Sequence, residues 1–160
     1  MGIRRGDLEL DVTPLEEVGE IGWAGSRAHL ESVGRQLRRV ASGEVEYLVV
    51  RAGGLAVAKG GIDFAKEPGS GTIWQVASRP GLEGLGLATR LIGELEGCAR
   101  RRDVSRVRIA VEVGNDRALR LYEHLDYEAI GESAASWEAE APDGSRFLYS
   151  AKLIEMVKIV

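Results

Sequence analysis

Apolar and polar residues alternate along this chain in two rhythms. Near the start, Leu8-Glu9-Leu10-Asp11-Val12 changes character at every residue, the period of a half-buried strand. Thr13 followed by Pro14 then predicts an N-cap and a first helical residue. The helical region reaches about Val40, in two pieces broken near Gly19 to Gly25. Leu30, Val33, Leu37 and Val40 recur on one helical face, and Ser42-Gly43 stops the run. Residues 45–51 are β-branched and apolar, Ala52-Gly53-Gly54 is a turn, and residues 55–64 continue as strand, which together predict a hairpin. A turn over 66–71 leads into a strand over 72–77.

In the second half, Leu87, Leu91, Leu95 and Cys98 or Ala99 mark a long amphipathic helix over residues 85–102. Val107, Ile109, Val111 and Val113 alternate in a strand over 106–113. A shorter helix over 116–125 carries Ala118, Leu121, Tyr122 and Leu125. Residues 127–141 and 145–153 flank Pro142-Asp143-Gly144, a strong turn tripeptide, and predict a final hairpin. Residues 154–160 alternate too weakly to place. The order β, α, α, β, β, β, α, β, α, β, β is that of a mixed α/β domain, antiparallel through most of its first half.

Composition narrows the function classes. At 160 residues the chain fits one domain, residues 1–160, with one substantial core. Apolar residues at 44% and charged residues at 29% are those of an ordinary globular protein. No apolar run is long enough to span a membrane, and residues 1–9 lack the apolar segment of a signal peptide. A single cysteine, Cys98, excludes an internal disulfide and suits a reducing cytoplasm, where we expect the protein. The net charge of −4 leaves no phosphate-tracking surface. Arg100-Arg101-Arg102, the densest basic cluster, falls at a helix end, where cations complement terminal carbonyls. We therefore expect no nucleic-acid partner, no membrane partner and no metal.

The most informative segment is Val76-Ala77-Ser78-Arg79-Pro80-Gly81-Leu82-Glu83-Gly84-Leu85-Gly86-Leu87-Ala88-Thr89. A strand runs into a glycine-rich loop that opens a long helix. Free backbone N–H groups and the positive helix end then converge on one spot, which suits a ligand carrying phosphates. Gly84-Leu85-Gly86 lacks the third glycine of a dinucleotide fingerprint, and no Lys-Ser or Lys-Thr pair follows as a P-loop requires. Taken alone, the segment also fits a tight strand-to-helix turn without a ligand.

With its neighbours the segment resembles the GNAT superfamily of N-acetyltransferases. In that pattern a strand ending in Val leads to a loop Gln/Arg-x-x-Gly-x-Gly/Ala and a helix. Here Val76, Gly84 and Gly86 take the matching positions. Gly81 stands where Gln or Arg is usual, and Leu82-Glu83 replaces a common Gly-Lys or Gly-Arg pair. A second stretch, Asn115-Asp116-Arg117-Ala118-Leu119-Arg120-Leu121-Tyr122-Glu123-His124-Leu125-Asp126-Tyr127, is similar to the superfamily's Asn-x-x-Ala-x-x-Leu-Tyr-x-x-Leu-Gly-Phe. Asp126 replaces its Gly. The resemblance implies a mostly antiparallel mixed sheet flanked by helices, with splayed central strands, and acetyl-CoA as cofactor. It implies acetyl transfer to an amine in a ternary complex; the alternative is a module that holds an acyl-CoA without turning it over.

The resemblance also assigns roles. The main chain of Val76, Ala77 and Ser78 would pair with the pantetheine amides. Gly81, Leu82, Glu83, Gly84, Leu85, Gly86, Leu87, Ala88 and Thr89 would wrap the pyrophosphate. Tyr122 would protonate the departing thiolate as general acid, and Asn115 would cap its helix and bond the pantetheine arm. Read without the motif, Tyr122 is equally a core tyrosine and Asn115 only a cap. His124 is expected to face away from Tyr122, and His29 to be a surface or packing residue. For the acceptor side, Trp23, Tyr47 and Trp74 suggest an aromatic wall, with core packing as the alternative. Glu112, Glu46 and Asp63 are possible bases, and water is another. Relatives pairing through late strands imply a possible homodimer.

Overall fold

The computed structural model describes residues 9–160, so Leu8 of the first alternating run and residues 1–8 of the segment read for a signal peptide lie outside the described residues. Eleven elements follow in chain order. They are β1 (Leu10–Pro14), a 3-10 helix (Val18–Ala24), α1 (Arg27–Val40), β2 (Val45–Ala52), β3 (Leu55–Asp63), β4 (Ser70–Ser78), α2 (Leu87–Arg101), β5 (Arg106–Glu112), α3 (Asp116–His124), β6 (Glu128–Glu140) and β7 (Arg146–Ile159). The strands form one sheet in the order β1-β2-β3-β4-β5-β7-β6. Among the described residues only the β4–β5 pair is parallel. This is the mixed, mostly antiparallel sheet expected from the resemblance.

Two expectations need correction. Thr13 and Pro14 end β1 instead of opening a helix: they pair with Val49 and Leu48, and a proline is tolerated there because β1 is an edge strand. The true helix start is Ser26, whose Oγ accepts from the His29 N–H at 3.2 Å. The unplaced tail is the second half of β7. It lies between β5 and β6, and Met156 is fully buried there. Its alternation looks weak because β7 meets a different environment along its length, packed in the sheet at one end and exposed near the hairpin turn.

Two apolar cores form on opposite faces of the sheet. One gathers Leu91, Leu95, Ile73, Ile109, Val111 and Met156 beneath α2. The other holds Leu15, Ile21, Val33, Tyr47 and Val49 beneath the 3-10 helix and α1, with Trp23 and Trp74 at its margin. Burial of these faces fixes the register, since a one-residue slip would turn each strand's apolar set outward.

The feature that positions a site is the divergence of β4 and β5. Their pairing ends at Ile73↔Ile109, although β4 runs on to Ser78. Beyond that point β4 bulges against β3. Lys59 pairs with Ala77 and Gly61 with Trp74, so Gly60 stands opposite both Gln75 and Val76. Gly61 is required by close approach, because a Cβ there would come within 2.7 Å of the Trp74 ring and 2.8 Å of the Tyr47 ring.

Candidate active site

Where β4 and β5 part, a cleft of about 630 Å³ opens. One wall is the main chain of Val76, Ala77 and Ser78, whose edge toward β5 has no strand partner. The floor is the loop into α2, with Leu82, Glu83, Gly84, Gly86, Leu87, Ala88 and Thr89. The far wall is α3, with Asn115, Ala118, Leu121, Tyr122 and Leu125. Both motif segments thus meet across one space. Gly81 and Leu85 belong to the same loop but do not line the cleft.

The loop is built to present main-chain donors. Gly86, the N-cap of α2, has φ 80 and offers no side-chain cap, so the first N–H groups of a 15-residue helix stay free for a ligand. Glu83 departs from this cationic design. Its carboxylate accepts from the Gly81 N–H at 2.9 Å, which uses one of the loop's donors and adds a negative charge.

On α3, the Asn115 side chain accepts from the Ala118 N–H at 3.2 Å, so it caps the helix while standing at the cleft rim. Tyr122 is half-buried, and desolvation raises its hydroxyl above the ordinary value of 10.0, so it carries its proton at neutral pH. Behind it, Tyr127 packs edge-on with ring centroids 6.4 Å apart. The Tyr127 hydroxyl donates to the buried Glu96 at 2.8 Å, and Lys158 Nζ reaches the same carboxylate at 3.1 Å. This ties α3's end to α2 and β7. His124 is an exposed surface residue, but it lines the cleft together with Tyr122, from which it was expected to face away. Arg117 lines it too, and was not singled out from sequence.

The acceptor-side residues lie elsewhere. Trp23, Tyr47 and Trp74 belong to the core under α1, and none lines the cleft. Tyr47 is 1% exposed and packs edge-on against Trp74 at 5.9 Å, so it is a core residue and not an open wall. Trp23 and Trp74 are half-buried. The possible bases are all engaged. Asp63 forms a two-pronged pair with Arg39 at 2.8 and 3.1 Å, Glu46 pairs with Arg102 at 3.0 Å, and Glu112 accepts the Tyr149 hydroxyl. Arg102, at the C-cap of α2, also donates to the Gly43 carbonyl in the turn between α1 and β2, and Arg100 and Arg101 lie in the last turn of α2, so the arginine cluster does fall at a helix end.

Sequence reasoning missed the buried polar cluster of Lys59, His29 and Gln75 beside Tyr47. Lys59 is fully buried, with its Nζ 2.8 Å from His29 Nε2 and 2.6 Å from the Gln75 carbonyl. Burial pushes Lys59 down to about 7, and burial together with the nearby Lys59 charge pushes His29 down to about 4. A signal was present: one lysine stands inside the apolar run of β3, just before Gly60-Gly61.

The profile of the Acetyltransferase (GNAT) family matches residues 16–127, which span β1's exit through the end of α3 and so both cleft walls. The chain belongs to the GNAT acetyltransferase family. No curated protein matches it in sequence. Solved structures share its fold. A ribosomal-protein alanine N-acetyltransferase from Escherichia coli superposes with a TM-score of 0.71 at 17% identity, covering 95% of this chain and 94% of the other. A ribosomal-protein-alanine N-acetyltransferase from Brucella melitensis gives 0.69 at 20% identity, over 94% and 99%. A GNAT family acetyltransferase from Elizabethkingia anophelis, solved with acetyl-CoA bound, gives 0.69 at 10% identity, over 94% and 98%. No helix among the described residues of this GNAT chain is long and apolar enough to cross a membrane.

Proposed function

We propose that this GNAT chain is an N-acyltransferase that moves an acetyl group from acetyl-CoA to a primary amine by direct attack in a ternary complex. The observation that carries the reading is the convergence in one cleft of an unpaired β4 edge, an uncapped α2 N-terminus and the Tyr122 side chain. The residues fit the cofactor. The free N–H groups of α2 and its loop match a pyrophosphate, and the open edge of Val76 to Ser78 matches the amides of a pantetheine arm. Bound there, acetyl-CoA supplies an activated thioester.

The chain's own residues do the rest. The β4 edge orients the acyl donor, and Asn115 has its side-chain amide N–H groups left for the arm because only its oxygen serves the cap. Tyr122 holds the proton that a departing thiolate needs, and its burial keeps that proton in place at neutral pH. The attacking amine must be neutral. With Asp63, Glu46 and Glu112 engaged by other side chains, we assign its proton to water. We read residues 1–160 as one domain of this kind.

A second reading, an acyl-CoA-holding module without turnover, draws on the Glu83 carboxylate bound to Gly81 in the phosphate loop. Calorimetric titration with acetyl-CoA tests what the two readings share. Saturable binding supports the cleft assignment, and its absence removes it.

A further inference from the structure

The proposed chemistry leaves unused the cluster on the α1 side of β4. Lys59 Nζ contacts three uncharged groups there: the Gln75 carbonyl at 2.6 Å, His29 Nε2 at 2.8 Å and the Tyr47 hydroxyl at 3.2 Å. The Tyr47 hydroxyl gives its own proton to Gln75 Oε1 at 2.9 Å, and Gln75 Nε2 donates to Ser32 Oγ at 3.1 Å. Every one of these contacts survives a change in the charge of Lys59. As an ammonium it donates to all three groups. As an amine it donates to the two oxygens and accepts from His29, once the imidazole carries its proton on Nε2.

Two of these groups, a carbonyl and a side-chain amide, belong to Gln75, whose backbone is unusual. Gln75 has φ 58, a left-handed conformation that residues with a side chain rarely adopt. It is the bulged residue at which the β3–β4 register slips, and it immediately precedes the Val76 to Ser78 edge that lines the cleft. A short, charge-capable hydrogen bond to its carbonyl fixes the peptide plane between Gln75 and Val76, and hence the direction in which the next N–H groups point.

We propose that Lys59 is a positioning residue for the acyl-donor cleft, holding the left-handed bulge at Gln75 so that the main chain of Val76 to Ser78 is aimed at the donor. The assignment rests on the reading of the cleft as an acyl-CoA site. It differs from a general structural role in one respect: the cluster places a lysine where burial disfavours its charge, so the lysine serves the bulge at the expense of the fold.

A double-mutant cycle tests it, using Lys59→Met, Gln75→Gly and the pair together. Glycine adopts a positive φ without strain, so in its presence the hold by Lys59 becomes redundant. Two quantities are read: hydrogen exchange of the amides in residues 74–78, and the dissociation constant for acetyl-CoA. Lys59→Met alone is expected to quicken exchange and weaken acetyl-CoA binding by about tenfold each, or ~1.4 kcal/mol, without lowering the melting temperature at pH 7. In the Gln75→Gly background the same substitution should change both by less than about threefold. Equal penalties in the two backgrounds, or none in either, would overturn the proposal. A Lys59→Met chain that folds less stably than the parent at pH 7, or not at all, would overturn the proposal too, because it would show that Lys59 supports the fold in general. Should the parental chain itself fail to bind acetyl-CoA, the functional reading is lost, and the exchange measurements still decide the role of Lys59.

Discussion

Lys59 Nζ lies 2.8 Å from His29 Nε2, two titratable groups in contact between β3 and α1. His29 reaches the lysine from α1 and Tyr47 from β2, while β4 presents the uncharged Gln75, so no anion among these contacts favours the ammonium. Lys59 falls from 10.5 to about 7 in the folded protein, chiefly through burial. Between those two pH values the unfolded chain holds a proton that the folded chain has released, so stability rises with pH across that window. Below about 7 both states are charged and the cost is fully present; above 10.5 both are neutral and it is gone. The slope approaches ~1.4 kcal/mol per pH unit at most. Denaturant midpoints from pH 7 to 10 should show this rise in the parent and a much flatter curve in Lys59→Met.

His29 adds a second, lower window. Its pKa drops from 6.5 to about 4, first from burial and then from Lys59. The unfolded chain therefore binds the extra proton as pH falls from 6.5 to 4, and stability declines over that range. The decline should be smaller in His29→Gln, measured by thermal melts at pH 7 and pH 4.5.

Asp126 closes α3 with φ 72. Its N–H bonds the Glu123 carbonyl and the Tyr127 N–H bonds the Tyr122 carbonyl, each at 3.0 Å, the paired bonds of a left-handed helix stop. Glycine is favoured at that position because it has no Cβ to strain. Asp126→Gly should stabilise the protein by about 0.5–1 kcal/mol, a melting rise of roughly 2 °C. A fall in melting temperature would show that the Asp126 side chain contributes more than the backbone strain costs.

Glu83 places a carboxylate in the loop that we propose holds the pyrophosphate, where the family pattern commonly has a cation. Replacing it with lysine removes a repulsive charge, frees the Gly81 N–H and supplies a cation at the helix start. Affinity for acetyl-CoA should rise about three- to tenfold at low salt, or ~1 kcal/mol, and the gain should shrink as salt is added. Unchanged affinity would place the pyrophosphate away from this loop.

Much of the fold was legible because its periodicities are strong. The alternation of Val107, Ile109 and Val111 identified β5, and Leu87, Leu91 and Leu95 identified α2. Legibility failed where tertiary context outweighs local preference. Thr13-Pro14 has the local chemistry of a helix start, but pairing with β2 draws it into an edge strand. The tail owes its placement to long-range pairing with β5, which no local pattern encodes. For the cleft, the motif residues Val76, Gly84, Gly86, Asn115 and Tyr122 line one space, the grouping that the family resemblance implied. Lys59 and Gln75 escaped notice because their importance comes from a register slip between β3 and β4. Glu46, Asp63 and Glu112 looked available in sequence only because their partners Arg102, Arg39 and Tyr149 are distant in the chain.

The central claim is acyl transfer with Tyr122 as the acid, and release of free coenzyme A thiol from acetyl-CoA across a panel of amines measures it directly. The account predicts amine-dependent release that falls by roughly one to three orders of magnitude in Tyr122→Phe, with acetyl-CoA affinity nearly unchanged. Because burial raises the Tyr122 hydroxyl above 10.0, loss of the acid should not limit the parental rate below that pH. Release that ignores the amine, or full activity in Tyr122→Phe, would contradict the account.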